Sequence, residues 1–140
     1  MNNPLNWINE IYNFLEDYSG IHPESPDIDI FKDLGVTGDD FHEMIDKYSK
    51  NYRVDMSNYL WYFHADEEGQ RSIGGFFFKP PYERVKRIPV TPRMLSDFIV
   101  TKKWEIEYPE HKVPKRRIDL IINLVILILI SITLIRFLMN

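Results

Sequence analysis

The stretch from Leu120 to Met139, LIINLVILILISITLIRFLM, constrains this chain more than any other. Only Asn123, Ser131, Thr133 and Arg136 interrupt its apolar residues. A helix needs about 20 mostly apolar residues to cross a hydrocarbon core roughly 30 Å thick, at about 1.5 Å per residue. Inside lipid a lone segment must satisfy its own backbone hydrogen bonds, so it has to be helical. The flanks agree: Lys112, Lys115, Arg116 and Arg117 lie just before it, and Asp119 sits at its edge. Arg136 is one turn from the far end, within snorkelling reach of the opposite headgroups. A buried core helix is the competing reading, but core helices are rarely apolar on every side.

The rest of the chain is expected to divide into a globular domain over 1–104, a basic juxtamembrane linker over 105–117 and the anchor over 118–140. Four Lys/Arg precede the span and one lies at its far end, so the positive-inside rule places the N-terminal domain in the cytoplasm. The overall charge of −4 hides an asymmetry. Residues 1–70 carry fifteen Asp/Glu against four Lys/Arg, and residues 71–140 carry six against thirteen. An acidic globule argues against nucleic acid as a partner. It suits a protein partner with a basic surface in front and anionic lipid behind. No cysteine is present, which excludes disulfides, a thiol nucleophile and a cysteine metal site.

Taken in order, Asn3 and Pro4 read as cap and first residue of a helix whose apolar face is Leu5, Ile8, Ile11, Tyr12, Leu15 and Tyr18, stopped by Gly20. Pro23 and Pro26 make the next stretch a loop. Its acidic spacing is not a calcium loop, because the twelfth position counted from Asp27 is Gly38 and not the required Glu. Thr37 and Asp40 resemble a capping box, opening a second helix with the stripe Phe41, Met44, Ile45, Tyr48 and Tyr52. Asp39, Asp40 and Glu43 fall in its first turns, where the helix dipole favours carboxylates. Ser57 is expected to cap a short helix holding the aromatic cluster Tyr59 to Phe63, ended by Gly69. Phe76, Phe77 and Phe78 suggest a short strand with alternate rings in and out and are expected to pack into the core, with a lipid contact as the alternative. Thr91 and Pro92 open the last helix of the domain, with Met94, Leu95, Phe98 and Ile99 inward and Trp104 closing the core.

The run Asp33-Leu34-Gly35-Val36-Thr37-Gly38-Asp39, followed by Glu43-Met44-Ile45, Tyr48, Tyr52 and Asp55-Met56, resembles the central segment of acyl carrier proteins. The register holds without a gap from Leu34 to Met56. More narrowly, the order of elements over 1–104 is similar to a set of uncharacterised bacterial acyl-carrier-like proteins, some of them membrane-anchored, with Ile88-Pro89-Val90-Thr91-Pro92 leading to Trp104. The resemblance implies a mainly α fold: an acyl-carrier-like small helical bundle plus one C-terminal transmembrane helix. It also implies a bacterial inner membrane, and an acidic second helix gripped by the basic residues of partners. The carrier serine falls on Gly38, which has no hydroxyl to form the phosphodiester, so no cofactor attachment is carried over.

Other chemistry is excluded on spacing. His22, His42, His64 and His111 show no metal-type pattern, and His42-Glu43-Met44-Ile45-Asp46 lacks the second histidine of a zinc-protease helix. Neighbouring carboxylates such as Asp39 and Asp40 point about 100° apart on a helix and make poor acid–base partners. The expected function is non-catalytic: a membrane-tethered docking module presenting Asp39, Asp40, Glu43 and Asp46 to a protein partner. The alternatives are non-covalent carriage of an acyl chain or lipid, and a membrane-bound immunity protein.

Overall fold

The computed structural model describes residues 4–67 and 72–139, with side chains from Asn6 onward. The expected Asn3 cap, the Leu5 side chain and the Gly69 stop lie outside the described residues. Among those residues the chain is mainly helical, with six α-helices, two short 3-10 turns and no strand.

Helix α1 (Pro4–Ser19) turns Ile11 and Leu15 fully into the core. Gly20 ends it at φ +75°, its N–H donating to the Glu16 carbonyl at 2.8 Å. A left-handed residue costs glycine nothing, which is why the helix stops there. The loop that follows is stapled from a distance. Arg87 pairs in a fork with Asp29, and Arg93 pairs with Asp27 at 2.7 and 2.9 Å. Both acidic residues are therefore taken up by arginines. The short α2 (Ile30–Asp33) is tied to the far side of the fold by the Ile30 N–H to the Val90 carbonyl, 3.0 Å.

Helix α3 (Gly38–Tyr52) buries Phe41, Met44, Ile45 and Tyr48, the predicted stripe. Helix α5 (Pro92–Thr101) packs against α1 and buries Leu95, Phe98 and Ile99. Its cap is the predicted one, Thr91 Oγ1 accepting from the Met94 N–H at 3.2 Å. The Tyr48 hydroxyl crosses the core to donate to the Leu95 carbonyl at 2.6 Å, joining α3 to α5. The two helices also end together. Arg53 and Lys102 both adopt left-handed conformations, and the chain then pairs in one parallel bridge between Asp55 and Lys103.

Three local expectations need correcting. Thr37 stands at the N-cap of α3 but its side chain makes no cap bond. The Gly38 N–H is satisfied instead by the Asp66 carboxylate at 3.2 Å, from a segment 28 residues away. The aromatic cluster forms only a 3-10 turn, Trp61–Phe63, and the Ser57 N–H donates to Asp55 Oδ1 at 2.9 Å. The triple-Phe run is neither a strand nor packed in the core: it lies in and just after a short helix, α4 (Ile73–Phe77), with Ser72 Oγ capping Gly75 at 3.1 Å, and its three rings are exposed.

The core also runs past Trp104. Ile106 is buried, and Tyr108 reaches inward to a polar cluster. The first part of the expected linker is thus folded onto the domain. Its end is held too, because Arg117 forks onto Glu67 at 2.9 and 2.8 Å and onto Asp119 at 2.7 Å. Helix α6 (Ile118–Met139) follows: 22 residues, mean hydropathy 2.8, and long and apolar enough to cross a membrane. Helix α4 packs on it.

Candidate functional site

The four carboxylates singled out in the sequence all lie exposed on α3. At about 100° per residue they occupy one arc opposite the buried stripe, in the angular order Asp46, Asp39, Glu43, Asp40. The structure divides this arc. Asp39 and Asp46 face a groove between α3 and the segment 56–67. Asp40 and Glu43 lie toward α1, where the Tyr18 hydroxyl donates to the Asp40 carbonyl at 3.0 Å. Tyr18 has its hydroxyl pKa raised by burial and then by the charges of Glu43 and Asp40. The arc is not purely acidic, since Lys50 pairs with Asp46 at 2.5 Å and Lys47 sits over the Tyr18 ring at 5.4 Å. At such exposure an ion pair contributes little to stability.

The groove has a volume of about 450 Å³. Ile45, Met56, Tyr59 and Trp61 make its floor, and Asp39, Asp46 and Glu67 make its rim. His42 stands between the two, its ring edge-on to Trp61 at 5.5 Å and its Nε2 at 3.2 Å from the Asp66 carbonyl. A carbonyl only accepts, so Nε2 carries the proton. The Tyr59 hydroxyl is buried without a hydrogen-bond partner among the described residues, and burial raises its pKa. An apolar floor inside a carboxylate rim is chemically suited to an apolar side chain or acyl chain flanked by cations. Among the described residues no group of three or more His, Asp or Glu is placed to hold a metal ion.

Behind the floor lies a closed polar cluster. His64 is fully buried, with Nδ1 at 2.9 Å from the Ile88 carbonyl and Nε2 at 2.8 Å from the Tyr108 hydroxyl. The Tyr108 oxygen also accepts from Trp104 Nε1 at 2.8 Å and from the Leu60 N–H at 3.2 Å. Two donors fill the oxygen, so its own proton must go to His64 Nε2. That makes His64 a neutral imidazole with its proton on Nδ1. Burial accordingly drives its pKa down to about 4. All its partners are structural, and Tyr59 stacks on it at 5.6 Å.

Gly38, at the position of the carrier serine, is buried at φ +51° with its N–H on Asp66. The site residues that sequence reasoning missed are His42, Tyr59, Trp61, Asp66 and Glu67. The density of aromatics from Tyr59 to Phe63 was the available signal for two of them. Nothing local announces the reach of Asp66 or Glu67.

A family model described as "Protein of unknown function (DUF1493)" matches residues 6–107. The chain belongs to this family. No curated protein and no solved structure matches it. The DUF1493 match takes in α1 to α5, the groove and all four carboxylates of α3. It carries no activity with it, and it makes no link to acyl carrier proteins. That likeness rests on residues 34–56 in detail and on the order of elements over 1–104.

Proposed function

We propose that this DUF1493 protein is a single-pass, membrane-tethered docking module that acts by position and not by catalysis. The observation that carries the reading is the groove beside α3, with an apolar floor of Ile45, Met56 and Trp61 under the Asp39 and Asp46 carboxylates. A partner that fits is a protein segment with an apolar side chain flanked by Lys or Arg. Buried apolar contact would supply affinity, and the acidic arc would supply steering and register. One rim residue, Glu67, is held by Arg117, which also holds Asp119 in the first turn of α6. The partner would therefore be met beside the point where the chain enters the bilayer. Lys112, Lys115 and Arg116 are exposed there, which supports a cytoplasmic domain at an inner membrane. The unbroken passage from the Leu34 loop into one helix supports the acyl-carrier-like description of the bundle.

The test is photo-crosslinking from position 61, with position 100 as a control on the exposed part of α5. A discrete adduct is expected from 61 alone, lost in Asp39→Lys/Asp46→Lys. No adduct from 61 would overturn the docking role, and an adduct that survives the double charge reversal would remove the carboxylates from it. The apolar floor equally favours a second reading, non-covalent acyl carriage, which native mass spectrometry of the detergent-extracted protein decides. A co-purifying acyl mass that Trp61→Ala removes would establish it. A stable mass gain with a phosphopantetheinyl transferase would instead point to a conventional carrier.

A further inference from the structure

The opening turns of α6 are not bare. Asp119 is buried, and Ile122, Asn123 and Ile126 are partly covered, while every other position from Leu120 to Met139 is exposed. Those four positions are spaced by three and four residues, so they form one face. Helix α4 lies on it. The Gly74 N–H donates to Asn123 Oδ1 at 2.9 Å, which answers the polar residue inside an otherwise apolar helix. A Cβ on Gly74 would stand 2.1 Å from the Asp119 carbonyl oxygen, so the approach requires glycine.

The outer side of α4 presents Ile73, Phe76 and Phe77, at 57%, 84% and 66% exposure, followed by exposed Phe78. Rings this exposed, and contiguous with a lipid-length apolar helix, are a marked apolar patch for a water-facing surface. The backbone is prepared for a dry setting. Gly75 N–H is bound by Ser72 Oγ, Phe76 N–H by the Ser72 carbonyl and Phe78 N–H by the Gly74 carbonyl. Together with the bond to Asn123, four donors of this short helix need no water, as a low-dielectric surrounding demands. Asn123 lies five residues into α6 from Ile118, which at about 1.5 Å per residue is about 7 Å. Interfacial helices bury their apolar faces about 5–10 Å into the headgroup–acyl boundary. Exposed Lys79 follows the rings, at the place where headgroup phosphates would lie.

We propose that α4 is a membrane wedge: Ile73, Phe76 and Phe77 insert into the leaflet by which α6 enters, and the partner of this surface is the lipid bilayer itself. The wedge rests on α6 spanning the membrane. With the Arg117 clamp, it would seat the globule at a fixed depth and tilt, where a free linker would let it swing.

The absence of cysteine makes the test direct. Single variants Phe77→Cys, Leu129→Cys and Val100→Cys of the full chain each carry one environment-sensitive fluorophore. They are placed in vesicles of phosphatidylcholine and phosphatidylglycerol containing shallow or deep spin-labelled lipids. The label at 77 is expected to be blue-shifted and quenched several-fold more by the shallow lipid than the label at 100. The label at 129 is expected to be quenched by the deep one. Water-like emission at 77 with quenching at 129 sinks the wedge and leaves the span intact, whereas no quenching at 129 sinks the span itself. A label at 77 that is dry only at high protein-to-lipid ratio reports contact between copies, and also overturns the wedge. Gly74→Val, added to Phe77→Cys, should lift α4 from α6 and reduce quenching at 77 without altering 129. Unchanged quenching would mean that the packing on α6 is not what holds the rings in lipid.

Discussion

The hydroxyl of Tyr108 settles the protonation of a histidine it does not adjoin in sequence. It accepts from Trp104 and Leu60, so it can only donate to His64. Protonating His64 would set two donors against each other inside the core, and burial already lowers its pKa to about 4. An unfolded chain takes up that proton near pH 6.5. The folded chain refuses it, so the stability due to neutral His64 is fully present above about pH 6.5 and is lost as pH falls toward about 4. The loss should be on the order of 3 kcal/mol, read from urea unfolding of the detergent-solubilised protein by near-ultraviolet circular dichroism. His64→Gln should unfold more easily at neutral pH but show a flat profile across the same window. An equally steep profile in His64→Gln would assign the pH response to other groups. Neither partner of His64 is legible in the sequence, since Ile88 and Tyr108 lie 24 and 44 residues away.

At the scale of elements, what the sequence announces is what local forces decide. α1, α3 and α5 carry apolar residues at helical spacing and α6 an unbroken apolar run, and α1 and α5 also have proline at or near the start. The 3-10 turn at Trp61 and helix α4 carry no such pattern. The sequence IGGFF has poor helix formers, and the short helix gains its stability from packing on α6 and the Ser72 cap. The start of α3 shows the same division. Thr37 and Asp40 have the right spacing for a capping box, yet the cap is supplied across the fold by Asp66. The groove was half visible: its carboxylates stand out on α3, while its aromatic floor depends on how 56–67 folds back. Gly38 allows a decisive test of this element. Its φ of +51° and its burial leave no comfortable place for a side chain. Placing a hydroxyl here with Gly38→Ser should therefore cost about 1–2 kcal/mol of stability, measured by thermal unfolding, with no phosphopantetheine acquired. A stable, arm-bearing Gly38→Ser protein would support the carrier resemblance.

For the whole molecule, the question is where the globule ends and the run into the apolar helix α6 begins. Composition puts the boundary at Trp104, because Pro109, Pro114 and the basic cluster look like a tether. Packing puts it later. Ile106 is buried, Tyr108 completes the hydrogen bonds of Trp104, Leu60 and His64, and His111 Nε2 accepts from the Tyr62 hydroxyl at 2.9 Å. A chain stopped after residue 104 would strand two buried donors and one acceptor, at about 1–3 kcal/mol each. It would also forfeit the burial of Ile106 and Tyr108, at about 1.5–3 kcal/mol for each large side chain. Those losses rival the whole stability of a small domain, about 5–15 kcal/mol. Residues 1–104 alone should therefore show no cooperative melt. Residues 1–113, which keep the cluster but lose α6 and the Arg117 clamp on Glu67, should still melt cooperatively, though the bared rings of α4 would favour self-association. Equal melting temperatures for the two would mean that the Tyr108 cluster contributes nothing. The tether would then be a leash after all, and the groove beside α3 would have no fixed distance from α6.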